Sequence, residues 1–235
     1  MKTNRKRLRL NPIIALLSCV LLLGVISCKD DEEDLVTPET AYVSLYHASP
    51  NASGLDILVD NRQINSYPFE YSENTGYLRF YTGSRDLKFT PFNASNSIID
   101  TTTVFEDGSA YSVFVTGDYP EVEALIVKDD SERPSEGKAK IRIAHLAPDA
   151  SEVNLLTSSA EDPIIDLQSY KTASDFMEIE SGGHDFDVTD QDGNVLLNVD
   201  DINLSSGIYY TLIVKGFVSP PQGNENYLSA EVLVN

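Results

Sequence analysis

Phe105-Glu-Asp-Gly108-Ser-Ala-Tyr111 and Leu204-Ser-Ser-Gly207-Ile-Tyr-Tyr210 lie 99 positions apart. Each sets a glycine three residues after a large apolar side chain and a tyrosine three residues further on. Each also leads into a nearly continuous apolar run, Ser112-Val-Phe-Val-Thr116 and Thr211-Leu-Ile-Val-Lys215. Runs of four or five residues rich in β-branched side chains read as central strands of a sheet.

The paired pattern resembles the tyrosine corner of immunoglobulin and fibronectin type III sandwiches, where the hydroxyl ties down the crossing between the two sheets. Tyr111 and Tyr210 are the tyrosines in question. Working outward, the rest of the chain falls into the same two copies. Ala41-Tyr-Val-Ser-Leu-Tyr-His47 alternates apolar and polar faces, and Ala139-Lys-Ile-Arg-Ile-Ala-His145 repeats it. Pro50 and Pro148 end these strands because proline has no N–H to offer a ladder, and Asn51 and Asp149 follow as turn residues. Leu55–Val59 and Val153–Thr157 are the next strands. Tyr77–Gly83 with Arg85–Thr90, and Phe176–Gly182 with His184–Thr189, read as hairpins around a glycine turn. One further strand fits at Ile98–Val104 and another at Val195–Val199, and the closing strands are Ala124–Val127 and Leu228–Val234.

With about seven short strands per copy and no amphipathic helical stretch, the fold class is all-β: two tandem immunoglobulin-like β-sandwich domains. Residues 41–128 form the first and 139–235 the second. Residues 129–138 are charged, contain no apolar side chain, and read as a linker that lets each copy fold independently.

Before the first copy, Lys2, Arg5, Lys6, Arg7 and Arg9 precede an apolar run from Ile13 to Ile26. The run has the length of a secretory h-region and is short for a bilayer span. It ends in Val25-Ile26-Ser27-Cys28, which resembles a bacterial lipobox and makes residues 1–27 a lipoprotein signal peptide with lipidation, as by palmitate, at Cys28. Residues 28–40 follow as an acidic tether, opened by Lys29-Asp-Asp-Glu-Glu-Asp34; like charges repel and extend such a segment. A lysine and acids directly after the lipid cysteine resemble the export signal of Bacteroidota lipoproteins. The resemblance implies an outer-membrane location facing the cell surface, the membrane being reached through the lipid.

Residues 1–27 hold five of the 17 basic residues and none of the 37 acidic ones, leaving 12 against 37, a balance of −25. A field of that sign repels nucleic acid, so no nucleic-acid partner is expected. The two cysteines, Cys19 and Cys28, both lie in the leader region, so no disulfide is expected and each domain rests on its own core.

His47-Ala-Ser-Pro-Asn-Ala-Ser53 and His145-Leu-Ala-Pro-Asp-Ala-Ser151, each between an apolar strand and a short second strand, resemble the DUF4397 family of secreted and lipid-anchored bacterial proteins. The likeness continues through the glycine turns and tyrosines over residues 41–235. It departs at Asn154 and Thr157, where the first copy has Asp56 and Val59. The family implies a fold and no catalytic residues.

Three constellations invite chemistry. His47 and His145 continue the apolar stripe of their strands; they read as structural residues bonded to the proline loop, the alternative being a His-centred hydrolase site. Asp190-Gln-Asp192-Gly-Asn194 resembles the start of a calcium loop but has Val195 where an EF-hand needs glycine, and Asp-Gly-Asn is also a hairpin turn. Asp190, Asp192 and Asn194 are therefore weak calcium candidates, with a calcium-dependent adhesion module as a further alternative; otherwise no cofactor is expected. The sequons at Asn51, Asn93 and Asn203 are expected to be idle, because the resemblance to a bacterial lipobox argues against that machinery, whereas Asp100-Thr-Thr resembles a short O-glycosylation motif. The reading is a non-enzymatic binding or structural module of the envelope. A glycan or another envelope protein would suit outward tyrosines at 42, 46, 67, 71 and 81.

Overall fold

A computed structural model of the chain describes residues 38–129, 132–158 and 160–235. The expected signal peptide, Cys28 and the acidic run 30–34 lie outside the described residues. Every described regular element is a strand. The first half contains β1 (Thr40–His47), β2 (Leu55–Val59), β3 (Arg62–Gln63), β4 (Asn74–Tyr81), β5 (Gly83–Pro91), β6 (Ile99–Phe105), β7 (Ala110–Asp118) and β8 (Glu121–Lys128). The second contains β9 (Lys138–His145), β10 (Val153–Thr157), β11 (Ile165–Gln168), β12 (Thr172–Ala173), β13 (Met177–Glu180), β14 (Gly182–Asp190), β15 (Val195–Leu204), β16 (Tyr209–Lys215) and β17 (Ser229–Val234). The strands β3, β11 and β12, of two to four residues, are too short to leave a periodic signal in sequence.

The protein is all-β, with its sheets in a sandwich-like arrangement. In the first half, sheet order β4-β1-β7-β8 faces β3-β2-β5-β6. In the second, β12-β9-β16-β17, with β13 also on β9, faces β11-β10-β14-β15. In both halves the first strand runs parallel to the strand that follows the tyrosine: Val43 lies beside Tyr111, and Ile141 beside Tyr210. The tyrosine hydroxyls accept backbone N–H bonds from five residues upstream, Glu106 to Tyr111 at 3.1 Å and Ser205 to Tyr210 at 2.9 Å. That is the corner tie which holds the crossing between sheets.

Each half has a core of its own. Val43, Leu45, Leu87, Phe89 and Val113 belong to the first, and Ile141, Ile143, Phe186, Val188 and Leu212 to the second. A third cluster, with Tyr46, Phe114, Ala144, Leu146 and Ile213, is built from the opposite faces of β1, β7, β9 and β16. Those four strands are therefore covered on both sides, which explains why their burial is nearly unbroken while β5 and β14 alternate. Tyr46 is 1% exposed and donates to Glu231 at 2.6 Å across the halves. It is no outward ligand-facing tyrosine, and neither is the part-buried Tyr71 beside Lys215. Tyr42, Tyr67 and Tyr81 are exposed.

The ends of β7 and β16 are alike in a further respect. Gly117 and Gly216 both have positive φ, and a side chain on either would run into the backbone opposite, at Glu121 and Tyr227 respectively. Only glycine meets both conditions.

Candidate functional site

The two histidine loops share one contact, from the ring Nε2 to a backbone carbonyl six residues on, and differ at Nδ1, which has a partner in His47 and, among the described residues, none in His145. His47 closes β1 with its ring fully buried. Its Nε2–H points at the Ser53 carbonyl, 3.4 Å away, and its Nδ1 accepts from the Ser49 N–H at 3.3 Å. Burial pushes this imidazole down to about 4. His145, equally buried, donates from Nε2 to the Ser151 carbonyl at 2.8 Å, and burial lowers it too. Phe69 and Tyr71 pack on the first ring and Tyr170 on the second. A neutral ring whose donor nitrogen faces a backbone carbonyl inside a core is placed to brace a loop.

The residues after each histidine extend the brace. The buried Pro50 has its carbonyl bonded by Asn224 and Asn226 from the second half. Pro148 is half-buried at the matching position. Asn51 accepts from the Tyr119 N–H at 2.7 Å, and Asp149 from the N–H groups of Val218 and Ser219 at 2.7 and 2.8 Å. The asparagine or aspartate of the motif thus fastens the proline loop to the turn beyond the central strand. The third histidine, His184, donates to the Glu180 carbonyl at 2.8 Å, just as Arg85 at the aligned position donates to that of Tyr81 at 3.1 Å.

Asp190, Asp192 and Asn194 form the turn between β14 and β15. One Asp190 oxygen accepts the N–H groups of Asp192 and Asn194, each at 2.9 Å, and the other accepts the Asn194 amide at 2.8 Å. These bonds, those to Asn194 first, hold the Asp190 carboxyl below its usual range. Both oxygens are used inside the turn, as in an Asx-type hairpin. Among the described residues no three His, Cys, Asp or Glu side chains converge as a metal set.

The exposed chemistry gathers elsewhere, in a cleft of about 650 Å³ on the flank of the first half. It is lined by consecutive residues from two places, Arg62–Ile64 at β3 and Leu78–Tyr81 of β4, with Val59, Asp60 and Arg85. Three of the five arginines between residues 28 and 235 therefore meet here, in a chain carrying 37 acids. Arg85 is engaged, bonded to Asp60 at 2.8 Å and to the carbonyls of Tyr81 and Thr82. Arg62 and Arg79 are exposed and have no ion pair among the described residues, whereas Lys88, Lys128, Lys138, Lys171 and Lys215 each reach a carboxylate. Sequence reasoning missed this cleft because its arginines lie 17 and 6 positions apart and no motif joins them. Their rarity in so acidic a chain was the available signal.

A family model described as "Domain of unknown function (DUF4397)" matches residues 41–156. Residues 41–156 carry a DUF4397 domain. The match takes in the arginine cleft and both histidine loops, and it ends inside β10. No curated protein matches the chain. Among solved structures, the C-terminal domain of AlgF from P. aeruginosa is 16% identical, with 43% of this chain and 100% of that chain covered at a TM-score of 0.33. CBMbc (family CBM26) from Eubacterium rectale Amy13K, solved in complex with maltoheptaose, is 10% identical, with 83% and 97% covered at a TM-score of 0.26.

Proposed function

We propose that the protein is a non-catalytic binding module of the bacterial envelope. In this reading a lipid on Cys28 anchors it to the outer membrane, the acidic tether directs it to the cell surface, and residues 139–235 are a second copy of the DUF4397 fold. The observation that supports a binding role is the cleft between β3 and β4, where two arginines with no ion pair among the described residues stand over apolar side chains. Charges left without partners are available to a ligand, and an apolar floor supplies contact area. The histidines support a non-catalytic role, because each gives its Nε2 to a backbone carbonyl.

The reading is tested by titrating the full chain in a non-ionic detergent with a panel of neutral glycans, acidic glycans and acidic peptides, in parallel with Arg62→Ala/Arg79→Ala. Binding by at least one panel member that weakens in the double variant is the expected result. A panel that does not bind, or binds both proteins equally, would sink the proposal.

A further inference from the structure

Resting on the reading of the cleft as a binding site, we infer that its partner is an extended, acid-rich peptide segment that adds as a strand to the free edge of β4. A cavity on the face of a sheet is lined by alternate residues, because side chains alternate across a strand. This one is lined by four consecutive residues of β4 and three consecutive residues at β3. It therefore runs along strand edges. Both strands end their sheets, β4 in the order β4-β1-β7-β8 and β3 in the order β3-β2-β5-β6. The cleft is the open flank of the sandwich, where among the described residues no strand pairs with the outer side of either edge, and strand addition is the recognition mode such an edge offers.

The side chains specify the segment. Leu78 and Phe80 point inward from β4 to the core, so they give the cleft an apolar floor together with Val59 and Ile64. Arg62 and Arg79 stand at its rim with no carboxylate paired to them among the described residues. A strand that alternates apolar and acidic residues satisfies both features, with one face on the floor and carboxylates facing guanidinium groups. Arg85, whose nitrogens hold the Tyr81 and Thr82 carbonyls, limits pairing at that end of β4. Charges on an edge also repel strands of the same sign, so the rim selects as well as attracts.

The second half supplies an internal contrast. Glu178 and Glu180 of β13 stand where β4 has Arg79 and Tyr81. Glu178 is bonded by Ser135, and Glu180 pairs with Lys138. That edge has the wrong charge for an acidic strand, and its acids are already engaged.

The test uses the full chain in a non-ionic detergent and a fluorescein-labelled decapeptide of alternating glutamate and valine, read by anisotropy. The peptide should bind. Arg62→Glu/Arg79→Glu should weaken it by about tenfold or more, since two favourable charges become repulsive. Glu178→Gln should leave binding unchanged, as should replacement of exposed Lys128. Prolines at two adjacent central positions of the peptide should abolish binding, because consecutive N–H groups point to opposite sides of a strand and one of the two must then be missing from the ladder with β4. Arg62→Gln/Arg79→Gln, with an intermediate loss, guards against misfolding of the charge-reversed variant. Absence of binding, indifference to both arginine variants, or equal binding of the proline peptide would overturn the inference. If oligogalacturonate binds and loses affinity in the arginine variants while the peptide does not bind, the cleft is a binding site and the strand partner is wrong. If neither binds, the binding-module reading falls with it.

Discussion

Arg142 and Asp129 meet at 2.7 Å, guanidinium nitrogen to carboxylate oxygen, with side chains only 1% and 3% exposed. Arg142 belongs to β9 of the second half, and Asp129 follows β8 of the first. The pair is fully furnished with partners. Ser112 accepts from Arg142 at 2.8 Å and donates to Asp129, Tyr77 donates to Asp129 at 2.6 Å, and Thr211 accepts from the Arg142 Nε at 2.9 Å. The guanidinium also lies 4.5 Å from the Phe176 ring centre. Asp129→Ala leaves a buried cation without its anion and should cost about 3–5 kcal/mol. Asp129→Leu combined with Arg142→Met should cost much less than the sum of the single changes. Urea unfolding of the four proteins in the cycle checks this, and additive costs would count against it.

The same interface bears on whether each half stands alone. Residues 139–235 keep a complete core around Ile141, Phe186 and Leu212. Alone, they expose Ala144, Leu146 and Ile213, which are fully buried in the whole chain. The fragment should therefore unfold cooperatively with β-type circular dichroism, but at a lower temperature than the whole, and it should associate as its concentration rises. A disordered fragment would mean that the halves need one another to fold. A fragment as stable as the parent and strictly monomeric would deprive the interface of energetic meaning.

How far the structure was legible in the sequence depends on what each signal can carry. The pairing of apolar residue, glycine and tyrosine pointed to the corner, and alternation located the long strands, because both are local consequences of backbone geometry. What covers the second face of a sheet is not local. Tyr42, Ser44 and Tyr46 share one face of β1, yet Tyr42 is 43% exposed and Tyr46 is buried under the second half. Asp129 sits in a stretch whose composition reads as solvated, but a single arginine 13 residues later turns it into part of the interior. The cleft escaped for the same reason: its two walls come from edges that meet only in three dimensions.

The lipid anchor rests on sequence alone. Intact-mass analysis of the protein purified from its native membrane should show an N-terminus at Cys28 carrying acyl chains. Replacing Lys29–Asp34 with alanines should leave that mass signature in place and remove the protein from protease reach on whole cells. A chain starting elsewhere or without acyl mass would rule out the anchor, and unchanged protease accessibility would rule out the sorting role.

The buried histidines give a stability signature with a defined sign. His47 has a folded-state value of about 4, lowered first by burial, against about 6.5 for an exposed imidazole. The folded state favours the neutral ring. As pH falls below about 6.5, the unfolded chain takes up a proton that the folded chain refuses, so stability drops with falling pH until about pH 4. The full effect of a shift of that size is about 3 kcal/mol. Carboxylates titrate in part of the same window, so the informative quantity is the difference between the parent and His47→Gln, which keeps an N–H donor for the Ser53 carbonyl and cannot titrate. Urea unfolding from pH 7 to pH 4 should show the parent losing ground to the variant across that range, with His145→Gln behaving in the same direction. Both variants should be indifferent to a chelator. A parent-to-variant difference that stays constant with pH, or a chelator effect that the variants abolish, would show that the rings are not the neutral braces described for the two proline loops.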